Sequence, residues 1–218
     1  MPTIFITGAG RGLGRELARQ YAEDGWRVIG TVRKPVAGLP ESLTLDVAKT
    51  ADAKRLSSQL RGVAIDVLYC NAGIIGKRGN RFGSFDYADW EEILRVNLLG
   101  AASVIEALVE NVAASERKTV CVMSSRLGSI TQTSGETLPY ATSKAALNLL
   151  AKGLAATLAP RGITVVALSP GWVKTDMGGE SAPLTAEASV RGLRRVIESL
   201  RRGDSGKFLA HDGSAIAW

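Results

Sequence analysis

The stretch from Ile6 to Leu17 reads ITGAGRGLGREL, and it decides the fold. It leaves the apolar run TIFIT, Thr3 to Thr7, and opens a helical stripe of Leu13, Leu17 and Tyr21. Gly8, Gly12 and Gly14 let the backbone approach a pyrophosphate, and a helix N-terminus favours its negative charge. The spacing is TGxxxGxG rather than GxGxxG. A strand, glycine loop and helix in this order open a parallel, dinucleotide-binding sheet.

The rest of the chain continues that rhythm. Strand-like runs recur at Arg27 to Val32, Ser42 to Asp46, Ile65 to Cys70, Thr119 to Met123, Ile163 to Leu168 and Gly206 to Ala210. Several are continuously apolar, as strands buried on both faces must be. Between them lie helical stripes: Trp90, Ile93, Leu94 and Leu98, then Leu147, Leu150, Leu154 and Leu158, the last stopped by Pro160. The expected fold is α/β, a Rossmann-like doubly wound parallel β-sheet of about seven strands with helices on both faces. We expect one domain over 1–218, with a short substrate loop near 176–186. Gly76 to Gly83 reads as a surface loop, and Gly178 to Pro183 as a mobile loop beside the site.

Composition bounds the function. The 218 residues are 45% hydrophobic and 22% charged, ordinary for a globular chain. No apolar run reaches the roughly 20 residues of a membrane span, and MPTIFITGAG has no signal-peptide pattern. A cytoplasmic location is the default expectation. Cys70 and Cys121 read as small buried hydrophobes. His211 is the only histidine and there is no CxxC, which argues against a zinc site or a Ser-His-Asp triad, so no metal is expected. The net charge is +6. Arg191, Arg194, Arg195, Arg201 and Arg202 interleave with Val190, Leu193, Ile197 and Leu200. That pattern reads as an amphipathic helix with a solvated basic face. No aromatic residues interleave with these arginines, so a nucleic-acid partner is not expected.

Tyr140 and Lys144 stand four residues apart in LPYATSKAALN, downstream of Ser125 in CVMSSRLGS. On a helix they share one face. An ammonium near a phenol favours the phenolate and lowers a pKa that starts near about 10. A tyrosine tuned this way passes protons near neutral pH. After the second strand, where an Asp or Glu would hold a ribose 2′-hydroxyl, the chain reads Thr31, Val32, Arg33 and Lys34. Arg33 suits a 2′-phosphate instead, and Arg11 in the glycine loop can assist. This favours NADP(H) over NAD(H).

Together these blocks resemble the short-chain dehydrogenase/reductase family, most closely its small carbonyl-reductase and C-factor-like members. TGAGRGLG, NAG at Asn71 to Gly73, Asn97 in VNLLG, Ser125 with YATSK, and PGWVKTDM from Pro170 occur in the expected order over nearly the whole chain. SSRLGSI and the ending GKFLAHDGSAIAW point to the same members. The resemblance implies that Tyr140 is the acid/base. Lys144 would lower its pKa and hold the nicotinamide ribose. Ser125, favoured over the adjacent Ser124, would orient the carbonyl. Asn97 would hold a water linking Lys144 to solvent. Gly8, Arg11, Gly12, Leu13, Gly14, Arg33, Asp46, Val47, Asn71, Ala72 and Gly73 would line the cofactor channel, with Asp46 and Val47 at the adenine. Pro170, Gly171, Val173 and Thr175 would hold the carboxamide end. Trp172 and Met177 lie near that end, facing substrate or simply packing.

The implied activity is hydride transfer between NADP(H) and a carbonyl or alcohol substrate, chiefly reduction of an aldehyde or ketone, in a homodimer or homotetramer. The alternative is a C-factor-like signalling or nucleotide-sensing protein with little turnover. Ser125 to Tyr140 spans fifteen residues, longer than is common in the family. The extra length in TQTSGETLP is expected to shape the substrate pocket or to disturb the helix-pairing contact. No role is assigned to Arg126.

Overall fold

The computed structural model describes residues 1–39 and 41–218. The strands are β1 (Thr3–Ile6), β2 (Arg27–Val32), β3 (Glu41–Thr44), β4 (Val67–Cys70), β5 (Thr119–Met123), β6 (Thr164–Ser169) and β7 (Phe208–Ala210). They form one seven-stranded sheet in the order β3-β2-β1-β4-β5-β6-β7, and each pairing within it is parallel. The chain leaves β1 toward β2 on one side and returns to β4 on the other. The strand order therefore reverses at β1/β4, which opens a crevice at their C-terminal ends.

Alternation along each strand explains the apolar runs. Phe5, Ile29, Leu68, Val120 and Val165 point to one face, where the helices α2 (Thr50–Gln59), α4 (Gly100–Ala113) and α5 (Leu138–Leu158) cover them. Ile4, Ile6, Val28, Tyr69, Cys121 and Val166 point to the other, beneath α1 (Gly12–Glu23) and α6 (Ala186–Ser199). Burial on both faces demands apolar residues at successive positions. The edge strand β3 differs, alternating half-buried and exposed. It starts at Glu41 and ends two residues earlier than the Ser42 to Asp46 expected. Its exit is set by Asp46, whose N–H turns away to donate to the Asp52 carboxylate at 3.2 Å.

Helix α3 (Tyr87–Leu94) runs into α4 through one π-helical turn, Arg95–Leu99, with Asn97 buried inside it. The basic face expected on the last helix is corrected at Arg194. Its side chain is only 12% exposed. The guanidinium lies 4.6 Å from the Tyr21 ring centroid, donates to Gln20 O at 3.1 Å and pairs with Asp24. It therefore docks α6 on α1. Arg201 and Arg202 fall beyond the end of α6. Both cysteines are free and buried, and burial raises their thiol pKa values, that of Cys70 to about 12. Such thiols are unreactive. Among the described residues no helix is long and apolar enough to cross a membrane.

Candidate active site

The C-terminal ends of β1, β4, β5 and β6 carry the site, and its parts are bonded to one another. The Thr7 hydroxyl accepts from the N–H groups of Asn71 and Ala72, both at 2.9 Å. In return the Asn71 amide donates to Thr7 O at 2.9 Å and Gly8 O at 3.3 Å. The turn after β4 is thereby stapled to the glycine loop across the crevice. Gly8 and Gly12 have positive φ, +70° and +53°. A Cβ on Gly14 would lie 2.2 Å from Gly8 O, so only glycine permits this contact. The first turn of α1 holds no acidic residue, and no side chain caps it. Its N–H groups are left for an anion. A dinucleotide's pyrophosphate fits this cradle of bare backbone.

Around the cradle, Leu13 is half-buried and packs on the α1–α6 side of the core. Arg33 is exposed just past β2. Arg11 is 69% exposed and meets Asp176 at 3.3 Å, from the far side of the cleft. After β3, Asp46 accepts from Ala48 N at 3.2 Å, a local turn bond. Val47 sits where a Cβ on Gly100 would come within 2.9 Å of it. After β6, Gly171 (φ +81°) turns the chain. Val173 forms a bridge with Leu184, folding 176–186 back into a short flap. The Thr175 hydroxyl accepts from Gly178 N at 3.1 Å, and the exposed Trp172 donates to Gly178 O at 2.8 Å. Met177 is also exposed. Thr175 touches the glycine loop, its methyl 3.8 Å from where a Cβ on Gly12 would stand.

Tyr140 and Lys144 are both buried on α5. The Lys144 ammonium donates to Met123 O, the last carbonyl of β5, at 2.7 Å, and lies 5.5 Å from the Tyr140 ring centroid. Ser125 follows β5 and is half-buried. Gly128 fixes the distance between these groups: its missing Cβ would fall 2.8 Å from Lys144 Cβ, so the Ser125 turn presses on α5. Of TQTSGETLP, residues 131–137 form an exposed excursion before α5, while Leu138 and Pro139 open that helix, and the contact stays intact. The two serines are distinguished. Ser124 is buried and bonded to Asn148 Oδ1 at 2.5 Å, and Asn148 reaches Gly128 O at 3.1 Å. Ser125 keeps its hydroxyl on the cleft side, accepting from Leu127 N at 3.2 Å. Arg126 donates its N–H to Ser169 Oγ at 3.1 Å and a guanidinium N–H to Gln132 Oε1 at 3.2 Å, bracing the same turn.

The expected lowering of the Tyr140 pKa is corrected. Burial pushes the phenol up to about 12, offset in part by the Ser125 hydroxyl. Burial also pushes Lys144 down to about 8. Removal from water outweighs the neighbouring ammonium, which is committed to a backbone carbonyl. At pH 7 the phenol therefore holds its proton. The Lys144 shift has a consequence for stability. Its folded pKa is depressed, so between about pH 8 and the ordinary lysine range the unfolded chain binds the extra proton. The contribution of Lys144 to stability rises with pH across that window, against the fall that the raised Cys70 and Cys121 thiols contribute over the same range. Lys144→Met is expected to make stability fall more steeply than in the parent chain, measured as the difference in urea midpoint between pH 8 and pH 10.

Asn97 has its amide fully used. It donates to Ile74 O and Ser143 Oγ, both at 2.9 Å, and accepts from Ile74 N at 2.8 Å. Ser143 in turn donates to Tyr140 O at 2.7 Å. Ser143 and Asn148 are not marked in the sequence, because polar groups inside a helix carry no pattern of their own. The space over Gly73 lies between Asn97 and Lys144: a Cβ there would stand 3.2 Å from Asn97 Oδ1 and 3.4 Å from Lys144 Nζ. A variant pair separates the serines. Ser125→Ala is expected to cut kcat by about 10²-fold, as loss of one oriented hydrogen-bond donor does. Ser124→Ala is expected to cost about 1–3 kcal/mol in urea unfolding, by stranding Asn148.

Residues 2–184 match the family model described as short chain dehydrogenase. C-signal of Myxococcus xanthus is 39% identical over 155 residues, 71% of this chain and 93% of that protein. The carbonyl reductase Sniffer of D. melanogaster superposes with a TM-score of 0.92 at 30% identity, covering 100% of both chains. The NADPH-bound carbonyl reductase from chicken fatty liver gives 0.90 at 28% identity, over 100% of this chain and 99% of that one.

Proposed function

The chain belongs to the short-chain dehydrogenase family, and on that premise we propose that it is an NADP(H)-dependent carbonyl reductase acting on an aldehyde or ketone. The observation that carries this reading is the convergence of Ser125, Tyr140 and Lys144 beside a glycine loop that opens a helix no side chain caps. The cofactor's contribution is hydride transfer to the carbonyl carbon.

The chain's own residues supply orientation and the proton. Gly8, Gly12, Leu13 and Gly14, with Asn71, Ala72 and Gly73, would line the pyrophosphate channel. Asp46 and Val47 would meet the adenine. Lys144 and Tyr140 would hold the nicotinamide ribose, and Pro170, Gly171, Val173 and Thr175 the carboxamide. Ser125 donates to the carbonyl oxygen and fixes it beside Tyr140, whose phenol gives that oxygen its proton. A phenol raised to about 12 is a proton donor at neutral pH, which suits reduction rather than alcohol oxidation. The Lys144 ammonium steadies the phenolate left behind. Asn97, through Ser143, positions the backbone of Tyr140, and a water over Gly73 would return the proton by way of Lys144.

Arg33 and Arg11 support NADP(H). No carboxylate stands at the end of β2 to meet a ribose hydroxyl, and the chicken relative was solved with NADPH. The Arg11–Asp176 pair is exposed on both sides and yields readily to a phosphate. Oxidation of NADPH against a panel of aldehydes and ketones, with NADH in parallel, tests the reading. Arg33→Gln is expected to raise the KM for NADPH about tenfold, the loss of one charged hydrogen bond, and to leave NADH unchanged. Equal KM values for both cofactors in the parent chain would refute the 2′-phosphate assignment.

The likeness to C-signal is the one observation that favours a signalling role. A Ser, a Tyr and a Lys held together at a substrate-accessible cleft favour turnover instead. A homodimer or homotetramer through the helices carrying Asn97 and Tyr140 completes the proposal; Leu99 and Leu149 leave apolar side chains exposed on them.

A further inference from the structure

At the opposite end of the strands from the catalytic cleft, by the starts of β5 and β6, lies a concavity of about 490 Å³. Three chain segments build it: the approach to β5, the turn before β6, and the exit from α6. Each contributes cations, respectively Arg117 with Lys118, Arg161, and Arg201 with Arg202, against the single lining carboxylate of Glu116. Arg161 alone has an ion-pair partner among the described residues, Glu110 at 2.7 Å.

These cations are placed by the fold. Arg117 lies 5.2 Å from the Trp26 ring centroid. Lys118 is held at φ +48°, a region that non-glycine residues enter seldom and at a cost. Its N–H donates to Ser115 Oγ at 3.1 Å and its carbonyl accepts from Thr164 N at 2.8 Å. Gly162, at φ +73°, makes room for Arg202, whose Nη2 lies 2.6 Å from where a Cβ would be.

The segments follow the C-termini of α4, α5 and α6, and helix C-termini attract cations. Arg201 serves partly in this way, donating to Ser199 O and Leu200 O at 3.1 Å. The helix ends do not absorb the charge, however. Each is worth about half a negative charge, and Glu116 and Glu110 add two more negative charges, so five cations leave a surplus. An unneutralised surplus in a concavity of small-molecule size, lined by guanidinium forks that match phosphoryl oxygens, calls for a compact and highly charged ligand.

We propose that this concavity is a second anion site that binds a small molecule bearing two or more phosphoryl groups, separate from the cofactor cleft. Calorimetric titration of the full chain with tripolyphosphate at fixed ionic strength tests it. With the cofactor cleft saturated by NADPH, whose own pyrophosphate would fill the glycine cradle, the expected result is one further site per chain. Arg201→Gln/Arg202→Gln should weaken it at least about tenfold while keeping the thermal midpoint of the parent chain. Lys118→Gln, a single change, should weaken it at least about threefold. Arg11→Gln/Arg33→Gln should leave it unchanged. Absence of binding would overturn the proposal, as would loss in the Arg11/Arg33 variant in place of the Arg201/Arg202 variant. Equally tight binding of citrate would overturn the phosphoryl assignment.

Discussion

Tyr140→Phe is expected to lower kcat for carbonyl reduction by about 10²–10⁴-fold, the span of a positioned general acid, to leave the fold in place, and to raise the cofactor Kd by no more than about tenfold, the loss of one ribose hydrogen bond. The substitution removes one oxygen and keeps the ring. Tyr140 is 8% exposed, and the helix that carries it packs against both the Ser125 turn and α3. Lys144 keeps its bond to Met123 O, and Ser143 keeps its bond to the backbone carbonyl of residue 140, so neither depends on the phenol. Proton delivery is what disappears. Its pKa of about 12 means that the group is a neutral donor throughout the physiological range, so the parent rate should show no ionisation of Tyr140 near pH 7. Steady-state oxidation of NADPH with a ketone substrate gives the rate, and fluorescence titration gives the cofactor Kd. A variant that retained more than about a tenth of the parent kcat, well outside that span, would show that the proton comes from another group.

What the chain discloses before folding follows from physical pattern. Burial on both faces forces runs such as TVCVM and ITVVAL, and these mark β5 and β6 nearly to the residue. The edge strand β3 is half solvated, has no such run, and ends where the Asp46 N–H finds Asp52 instead of a neighbour. The glycine loop was legible because glycine is the residue type that positive φ and close backbone approach require. Ser125, Tyr140, Lys144 and Asn97 come together in space as their order suggests. The sign of the Tyr140 shift was not legible, because it depends on how deeply α5 seats against β5 and on which acceptor the Lys144 ammonium chooses. Arg194 shows the same limit. Helical spacing places it beside the basic face, but the Tyr21 ring and the Asp24 carboxylate on another helix draw it inward. Residues whose role is to hold others, such as Ser143 and Asn148, are visible only through their partners.

Gly14→Ala should be the most damaging single-methyl change in the chain's first turn. The new Cβ would stand 2.2 Å from Gly8 O, 2.5 Å from Asn71 Nδ2 and 2.9 Å from Gly8 C. None of these atoms can retreat cheaply. Asn71 is committed to Thr7 O and Gly8 O, and Thr7 is committed to the turn after β4. To admit the methyl, α1 must move off the sheet or the loop must open, and either deforms the backbone cradle that would receive a pyrophosphate. We expect a loss of about 1–3 kcal/mol in urea unfolding, the usual range for overpacking, and a cofactor Kd raised at least about tenfold, since the helix N–H groups would no longer point at the anion. Gly153→Ala is the matched control. It lies within α5, where an added Cβ meets nothing within 4 Å. Alanine there should be neutral or stabilise by up to about 1 kcal/mol through helix propensity, with cofactor binding unchanged. If Gly14→Ala bound cofactor as tightly as this control, the cradle would have to be placed elsewhere along the crevice.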